Sequence, residues 1–424
     1  MKTITLATVL LATMAASSPT WANSGVQASN KLGLKLAKEN AKLSKGKNFM
    51  LSPVSLGQAL TLAANGSAGQ TRLEVEQLLS ASLASLNEDS AEFVKSLSFS
   101  PEQKKELQAR FKYANPAVVQ IENSIWNTNG QTDGRVFNFS EEFVNTAKNF
   151  YGATSQSQDF KTPAAAAAIN AWAKEKTYGL VPEIIDADTL NPMLWLVMNA
   201  SYIEASWKTP FIERQNPPAF KLQNGAKLKV TMLTSSQNIS LATLADGSEL
   251  ASIPFNSYQA QAQLSFVIYL PARYNDFSVS QSRAYDVDFW KKAQLALTAP
   301  DAYTKAKVTI PKFSFDTSVE LKKDLELTKA VGLNFLFQKN ANFSALATAD
   351  SRESIVGLIK QNTRIELDEK GVKAAAVTIV GGMERTSMPA EPQVEFTADR
   401  PFVFAIVDNT TKALLFVGSM ADPR

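Results

Sequence analysis

The chain has 424 residues, 45% of them apolar, with a net charge of +3 and neither cysteine nor histidine. So weak a charge on so long a chain argues against a dedicated nucleic-acid binder. The missing Cys and His exclude disulfides, thiolate or imidazole metal sites, cysteine nucleophiles and any triad with a histidine base. We predict no metal site and no cofactor.

The first 22 residues have the pattern of a secretory signal peptide. Lys2 precedes an apolar stretch, 4–16, and residues 17–22 lead to a cleavage site after Ala22. The apolar stretch is too short for a membrane-spanning helix, and no later stretch resembles one. We expect a single mature domain, 23–424, that is exported to the periplasm or the extracellular space. A cysteine-free exported chain suits a bacterium.

Helical patterns crowd the first half of the mature chain and strand patterns the second, which predicts an α+β fold. Two helix starts carry capping signals: Ser52 before Pro53, and a capping box at 71–74. The predicted helices cover 25–45, a segment from Pro53, 71 to about 112, 139–151, 164–177 and 319–327. The predicted strands cover 118–126, 194–202, 230–233, 251–254, 264–270 and 308–310, with a hairpin of 402–407 and 413–417.

The stretch from Gly371 to Pro392 has two dissimilar halves. Residues 371–380 are small, apolar or β-branched apart from Lys373, whereas 381–392 are polar and flexible, with Arg385 near the tip. Read as a strand, the first half turns an uncharged face inward, and its charged face outward to water. The inward set is Val372, Ala374, Ala376, Thr378 and Val380, and the outward set is Lys373, Ala375, Val377 and Ile379. An alanine-rich helix is the alternative for these residues taken alone.

Several separated motifs, in order, resemble the serpin family along nearly the whole mature chain. They are Ser52-Pro53 with Ser55-Leu56, Gly66 to Thr71, Ile169-Asn170 with Trp172, Asn199 to Tyr202 with Trp207 and Phe211, Pro311-Lys312-Phe313, the C-terminal strands at 398–404 and 414–418, and the hinge-like run from Glu369 to Thr378.

The resemblance implies one domain of three β-sheets and about nine helices, with an exposed reactive-centre loop at about 371–392. It implies a protease inhibitor and not an enzyme. A target serine protease cleaves the loop and is acylated, and the loop then inserts into sheet A and carries the protease away before deacylation. The implied partner is thus a protease held in a covalent acyl complex by a monomer, without nucleic acid and without a membrane span.

The resemblance also implies roles for particular residues. The hinge consists of Glu369, Gly371, Val372, Lys373, Ala374, Ala375, Ala376 and Thr378. The breach contains Trp207, and the shutter contains Ser52, Ser55, Asn199 and Gln361. Val372 and Lys373 stand where the family usually has Thr or Ser and then Glu, and Gln361 stands where it usually has His. We expect Val372 to permit insertion, the sign of Lys373 to matter little, and Gln361 to make the shutter insensitive to pH near 6.

The scissile bond follows from the family's count of fourteen residues after the hinge glycine. That count from Gly371 gives Arg385, followed by Thr386, and an Arg suits the acidic pocket of trypsin-like proteases. The span from Arg385 to Phe396 is longer than expected, so Met383 or Met388 is an alternative. Either methionine would suit a chymotrypsin-like or elastase-like protease.

Two other functions remain open from the sequence. A non-inhibitory serpin, acting as a binding or chaperone-like protein, would carry bulky, charged or proline residues in its hinge. The run Ala374, Ala375, Ala376 argues against it. A hydrolase without His or Cys would need a Ser-Lys dyad or a carboxylate pair, and no Ser-x-x-Lys has a supporting context.

Overall fold

The computed structural model describes residues 24–44, 46–97, 117–130, 137–191, 193–256, 263–321, 325–338, 340–347, 359–372 and 394–424. These contain ten helices: α1 (Ser24–Ser44), α2 (Pro53–Asn65), α3 (Gly69–Leu79), α4 (Leu83–Leu97), α5 (Glu141–Tyr151), α6 (Pro163–Lys176), α7 (Ala187–Leu190), α8 (Phe277–Ala284), α9 (Val287–Leu297) and α10 (Leu325–Val331). No described helix combines the length and apolar character needed to cross a membrane.

The described strands are β1 (Phe49–Leu51), β2 (Val118–Thr128), β3 (Thr154–Gln158), β4 (Trp195–Ser206), β5 (Ile212–Glu213), β6 (Phe220–Lys221), β7 (Lys227–Leu228), β8 (Met232–Thr243), β9 (Glu249–Pro254), β10 (Leu264–Leu270), β11 (Tyr303–Pro311), β12 (Phe313–Glu320), β13 (Ile359–Leu367), β14 (Gly371–Val372), β15 (Val394–Thr397), β16 (Phe402–Asp408) and β17 (Leu414–Met420).

The strands form three sheets. The largest has the order β1-β17-β16-β10-β9-β8-β11-β15, with β5 also paired to β8. The second, called sheet A below, has the order β12-β13-β14-β4-β2-β3, and β6 and β7 form a small hairpin. The predicted α+β class and the three sheets are confirmed, and ten helices are described where about nine were expected.

Sheet A lies between two helical layers. On one side α2 is buried from Pro53 to Ala64, and apart from Ser55, Gln58 and Thr61 these residues are apolar or glycine. Its start is set by Ser52, whose side chain accepts a hydrogen bond from the Ser55 backbone N–H, with Pro53 at the first helical position. On the other side α6 buries Ile169 and Trp172 in a cluster with Met198 and Ala200 of β4. The sheet is thus covered on both faces near the middle of β4.

Two local predictions were wrong. The helix predicted over 319–327 begins at Leu325, because Val319 belongs to β12, which pairs with β13. The capping box predicted at 71–74 is not one, since α3 begins at Gly69. Thr71 instead accepts a hydrogen bond from the Asn342 backbone N–H at 2.9 Å. The helical pattern expected to about Lys112 is described as far as Leu97 in α4, and 98–116 lie outside the described residues.

Glu74 fastens α3 to the segment that follows α10. Its buried carboxylate accepts hydrogen bonds from the backbone N–H groups of Phe335, at 2.9 Å, and Leu336, at 3.0 Å, and also from Asn334. We expect Glu74→Ala to lower the free energy of unfolding by about 2–3 kcal/mol, because it leaves backbone donors without an acceptor.

Urea unfolding of the uncleaved protein measures this change. The control is Glu88→Ala on the exposed surface of α4, where we expect a change within about 0.5 kcal/mol. Equal unfolding midpoints for the two variants would contradict the role given to Glu74.

Candidate functional site

The predicted hinge begins as a hairpin that joins β13 to β14. The Asp368 backbone N–H donates to the Gly371 carbonyl at 2.9 Å, and the Asp368 carboxylate accepts from the backbone N–H groups of Lys370 and Gly371 at 2.8 and 3.1 Å. β14 lies between β4 and β13, with Gly371 opposite Ser206. The start of the hinge is therefore already a strand of sheet A.

Gly371 is required by the close approach of β4. A Cβ atom at this position would lie 2.0 Å from the Ala205 carbonyl oxygen, far inside van der Waals contact. The constraint comes from a neighbour 166 residues earlier in the chain and not from the local backbone conformation. Any side chain at 371 would push β14 away from β4.

Val372 points into the protein core. It is opposite Ala205 on β4 and Leu367 on β13, and all three side chains are buried. The alternating burial of β13, with its odd-numbered residues inside, fixes this face as the inner one. An uncharged residue is therefore needed at 372.

Trp207, the predicted breach residue, directly follows the last residue of β4. Its indole Nε1–H donates to the Asp368 carbonyl at 2.9 Å, and its backbone N–H donates to the Lys370 carbonyl at 2.8 Å. The ring is stacked on Phe255 at 4.7 Å and contacts Phe211 edge-on at 5.2 Å. Trp207 thus ties the hinge hairpin to the aromatic core of the largest sheet.

Glu369 forms an ion pair with Lys312 across the breach, with Nζ 2.9 Å from Oε1. Partial burial acts to raise the pKa of the Glu369 carboxyl, but the hydrogen bond and charge of Lys312 outweigh it and leave that pKa below its usual range. The pair therefore stabilises the folded protein at pH values above the ordinary pKa of glutamate. This stabilisation is lost as the pH falls through the lowered pKa of Glu369. Both side chains are a third or more exposed, so the contribution is about 0–1 kcal/mol.

The four predicted shutter residues lie together under the middle of sheet A. The Gln361 Oε1 accepts from the Ser52 backbone N–H at 2.8 Å, and its Nε2 donates to the Ser52 carbonyl at 3.1 Å and to the Ser55 hydroxyl at 2.8 Å. The Ser55 hydroxyl in turn donates to Asn199 Oδ1. This network connects β13 to β4 through α2, and none of its members titrates near neutral pH.

The same network continues to three residues that the sequence did not reveal. The Asn199 Nδ2 donates to Asn123 Oδ1 at 2.8 Å, and the Asn123 Nδ2 donates at 3.1 Å to Gln58 Oε1 and to the Tyr151 carbonyl. It therefore also links β2, α2 and α5. The available signal was an Asn in the middle of the predicted strand 118–126, where Asn is disfavoured.

The boundary between β4 and β13 is the least paired part of sheet A. Within the described residues these strands pair directly at Ile359 and Lys360, and β14 lies between them at the other end. Between those two points, no described strand pairs with the facing edges of 199–204 and 361–366. We call this boundary the seam.

The protein-family model for serpins, described as serine protease inhibitors, matches residues 27–423. This chain belongs to the serpin family. Members of that family are generally inhibitors of serine proteases and not enzymes, and they are typically secreted.

Relatives of known identity support this serpin assignment. The chain is 29% identical over 391 residues to Serpin-Z7 of Hordeum vulgare, covering 89% of this chain and 90% of the relative. It is 28% identical over 290 residues to heparin cofactor 2 of Rattus norvegicus, covering 68% of this chain but only 56% of that protein.

Solved serpin structures share the fold at low identity. Native protease nexin-1 with heparin superposes with a TM-score of 0.74 at 21% identity, covering 94% of this chain and 99% of the other. The thermophilic serpin Tengpin in its native state gives 0.74 at 23%, covering 94% of each chain. A thyroxine-binding globulin in complex with thyroxine gives 0.75 at 20%, covering 94% and 99%. The fold alone therefore does not establish inhibition.

Several of the serpin site residues predicted above lie outside the described residues. They are Lys373, Ala374, Ala375, Ala376, Thr378, Met383, Arg385, Thr386 and Met388. The described part brings together Gly371 and Val372 with Trp207 at the breach, and Gln361 with Ser52, Ser55 and Asn199 at the shutter.

Proposed function

We propose that this serpin is an exported, monomeric inhibitor of trypsin-like serine proteases, acting in the periplasm or outside the cell. The protease serine attacks the Arg385 carbonyl, releases the chain from Thr386 onward and is held as an acyl-enzyme. The loop that carries it then inserts into sheet A between β4 and β13. The observation that supports this proposal is β14, whose two residues already occupy one end of the seam.

The register of β14 supports one path of insertion. Val372 is opposite Ala205 and Leu367, and the strand runs antiparallel to both neighbours. If that register continues, residues 373–378 lie beside 199–204 and 361–366, the stretch without a described partner. Thr378 then comes beside Asn199 and Gln361 in the shutter. Further insertion must separate Met198 from Lys360, which are paired in this structure.

The same register gives Lys373 a role that the sequence did not suggest. Continued by one residue, this register would bring position 373 opposite Glu204 on β4 and Glu366 on β13, which are both on the outer face. An ammonium group between two carboxylates favours insertion, whereas a carboxylate there would be repelled. The charge at 373 therefore matters in this proposal, contrary to our expectation from the sequence.

The decisive experiment is incubation of the mature protein with trypsin, followed by a denaturing gel and mass spectrometry. We expect a covalent complex that survives denaturation and a released peptide that begins at Thr386. A released peptide that begins at Glu384 or Pro389 would move the scissile bond to Met383 or Met388. Clean proteolysis without a complex at any ratio would contradict inhibition and favour a binding or chaperone-like serpin.

Arg385→Leu is expected to change the target class. The specificity pocket of the protease reads the residue before the scissile bond, and an aliphatic side chain leaves the acidic pocket of trypsin unpaired. We expect association with trypsin to slow by at least about 100-fold and inhibition of chymotrypsin to appear. Association rates with both proteases measure this. An unchanged rate with trypsin would show that Arg385 is not the scissile residue.

A further inference from the structure

A second contact crosses the seam on the face of sheet A opposite the shutter. Gln361 and Asn362 are consecutive in β13, so their side chains point to opposite faces of the sheet. Gln361 meets α2 on the inner face. On the outer face the Asn362 Nδ2 donates to the Glu183 carbonyl oxygen at 3.3 Å. The contacts of Gln361 and Asn362 therefore lie at the same position along the seam, on opposite faces of the sheet.

The segment that carries Glu183 is fastened to α6. This segment, 177–186, connects α6 to α7. The Asn170 Oδ1 of α6 accepts from the backbone N–H groups of Ile184 and Ile185 at 2.8 and 3.1 Å, and the Asn170 Nδ2 donates to the Ile185 carbonyl at 2.8 Å. These three hydrogen bonds hold the backbone next to Glu183 in place.

The segment 177–186 also packs against β4, both through its own side chains and through α6. Ile184 and Ile185 are buried in one cluster with Met198 and Ala200 of β4 and Trp172 of α6. The Glu183 carbonyl therefore moves with β4, although it belongs to a loop. A hydrogen bond from Asn362 to this carbonyl is in effect a bond between β13 and β4.

The contact lies next to the last direct pair of the two strands. Lys360, paired with Met198, precedes Asn362 by two residues, and its charge also interacts with Asp186 at the end of the same segment. Inserting a strand moves β4 and β13 apart by one strand spacing, about 4.8 Å. A hydrogen bond of 3.3 Å does not survive such a displacement.

We infer that Asn362 and the Glu183 carbonyl form an outer latch of the seam, which acts with the shutter to hold β4 and β13 together. The latch must break when the seam opens. It breaks separately from the shutter, because the latch and the shutter lie on opposite faces of sheet A. The inference deepens the proposed function, since an opening seam admits the loop. The latch itself is a property of the uncleaved protein and is measurable without a protease.

Two variants test the latch. Asn362→Ala removes the donor. Asn362→Asp keeps the size of the side chain and faces the carbonyl with an oxygen, so it also serves if the first variant folds poorly. The matched control is Arg364→Ala, two residues further along the same outer face. Arg364 binds Asp316 and Glu366, which lie on β12 and β13 and not across the seam.

The measurement is amide hydrogen exchange of the uncleaved protein, read on peptides that cover 195–201 and 359–362. We expect both Asn362 variants to exchange about five-fold faster there, equivalent to about 1 kcal/mol, and Arg364→Ala to match the wild type. Exchange equal to wild type in both Asn362 variants would overturn the latch.

A trypsin titration of the same variants separates the latch from the proposed function. Faster exchange with no covalent complex in any variant would support the latch and contradict inhibition. Trapping of trypsin with unchanged exchange in both Asn362 variants would support inhibition and contradict the latch.

Discussion

Val372→Arg is expected to turn the protein from an inhibitor of trypsin into a substrate. Val372 is 3% exposed and faces the core between Ala205 and Leu367, so a guanidinium there would be buried without a partner. Val372 is already in sheet A before cleavage, so we expect the substitution to displace β14 from the seam. Insertion would then have to bury the charge, and a barrier increase of about 3 kcal/mol would slow it by about two orders of magnitude. Deacylation needs no insertion and keeps its rate, so the protease would hydrolyse the acyl bond and escape.

Titration against a fixed amount of trypsin measures this effect as inhibitor molecules consumed per protease trapped. The comparison variant is Lys373→Ala, which removes the favourable ammonium group on the outer face but adds neither bulk nor a buried charge. We expect it to trap trypsin less efficiently than the wild type and far more efficiently than Val372→Arg. Lys373→Glu would not be neutral, because its carboxylate would meet Glu204 and Glu366 and is expected to slow insertion as well. If Val372→Arg traps trypsin as efficiently as Lys373→Ala, the inner face assigned to Val372 is wrong.

Cleavage within the loop is expected to raise the melting temperature by about 10–20 °C. An inserted strand adds on the order of 10–15 backbone hydrogen bonds, each worth about 1 kcal/mol net, along edges that have no described partner at 199–204 and 361–366. For a domain of this length, each kcal/mol corresponds to roughly 1 °C. The uncleaved protein is then a kinetically trapped state whose release drives the mechanism.

Calorimetry of the intact and cleaved proteins measures this gain. Cleaved Val372→Arg is the matched control and should gain much less, because its loop has the same cut but resists insertion. Equal melting temperatures for the intact and cleaved wild type would refute insertion.

Local signals predicted those parts of the fold that depend on near neighbours. Ser52 and Pro53 begin α2 as expected, and the hairpin of β16 and β17 follows from two apolar runs around a turn. The predictions failed where a residue distant in the sequence determines the local structure. Val319 belongs to a strand because β12 pairs with β13, and Thr71 and Glu74 bind backbone more than 250 residues away.

In the candidate site too, the features set by neighbouring residues were predicted and those set by distant residues were not. Alternation along the hinge placed an uncharged face at Val372, which the structure buries against Ala205 and Leu367. The requirement for Gly371 could not be derived from its neighbours, because the Ala205 carbonyl creates it. The shutter came from the family resemblance. Its extension through Asn123 could not be predicted, because β2, β4 and α2 come together only in the folded chain.

Disulfide trapping offers the most direct test of loop insertion, since the natural chain has no cysteine. In the proposed register Ile379 replaces Met198 as the neighbour of Lys360, and directly opposite residues of antiparallel strands have Cα atoms about 4.5–5.5 Å apart. That spacing lies within the range of a disulfide. The test uses the double variant Lys360→Cys with Ile379→Cys, and Lys360→Cys with Thr378→Cys as the control, whose side chains would point to opposite faces.

We expect oxidation to form the 360–379 disulfide after loop cleavage and not before, and to leave the 360–378 pair reduced in both states. Failure of the 360–379 pair to form in the cleaved protein, or equal formation by both pairs, would contradict insertion of the loop between β4 and β13.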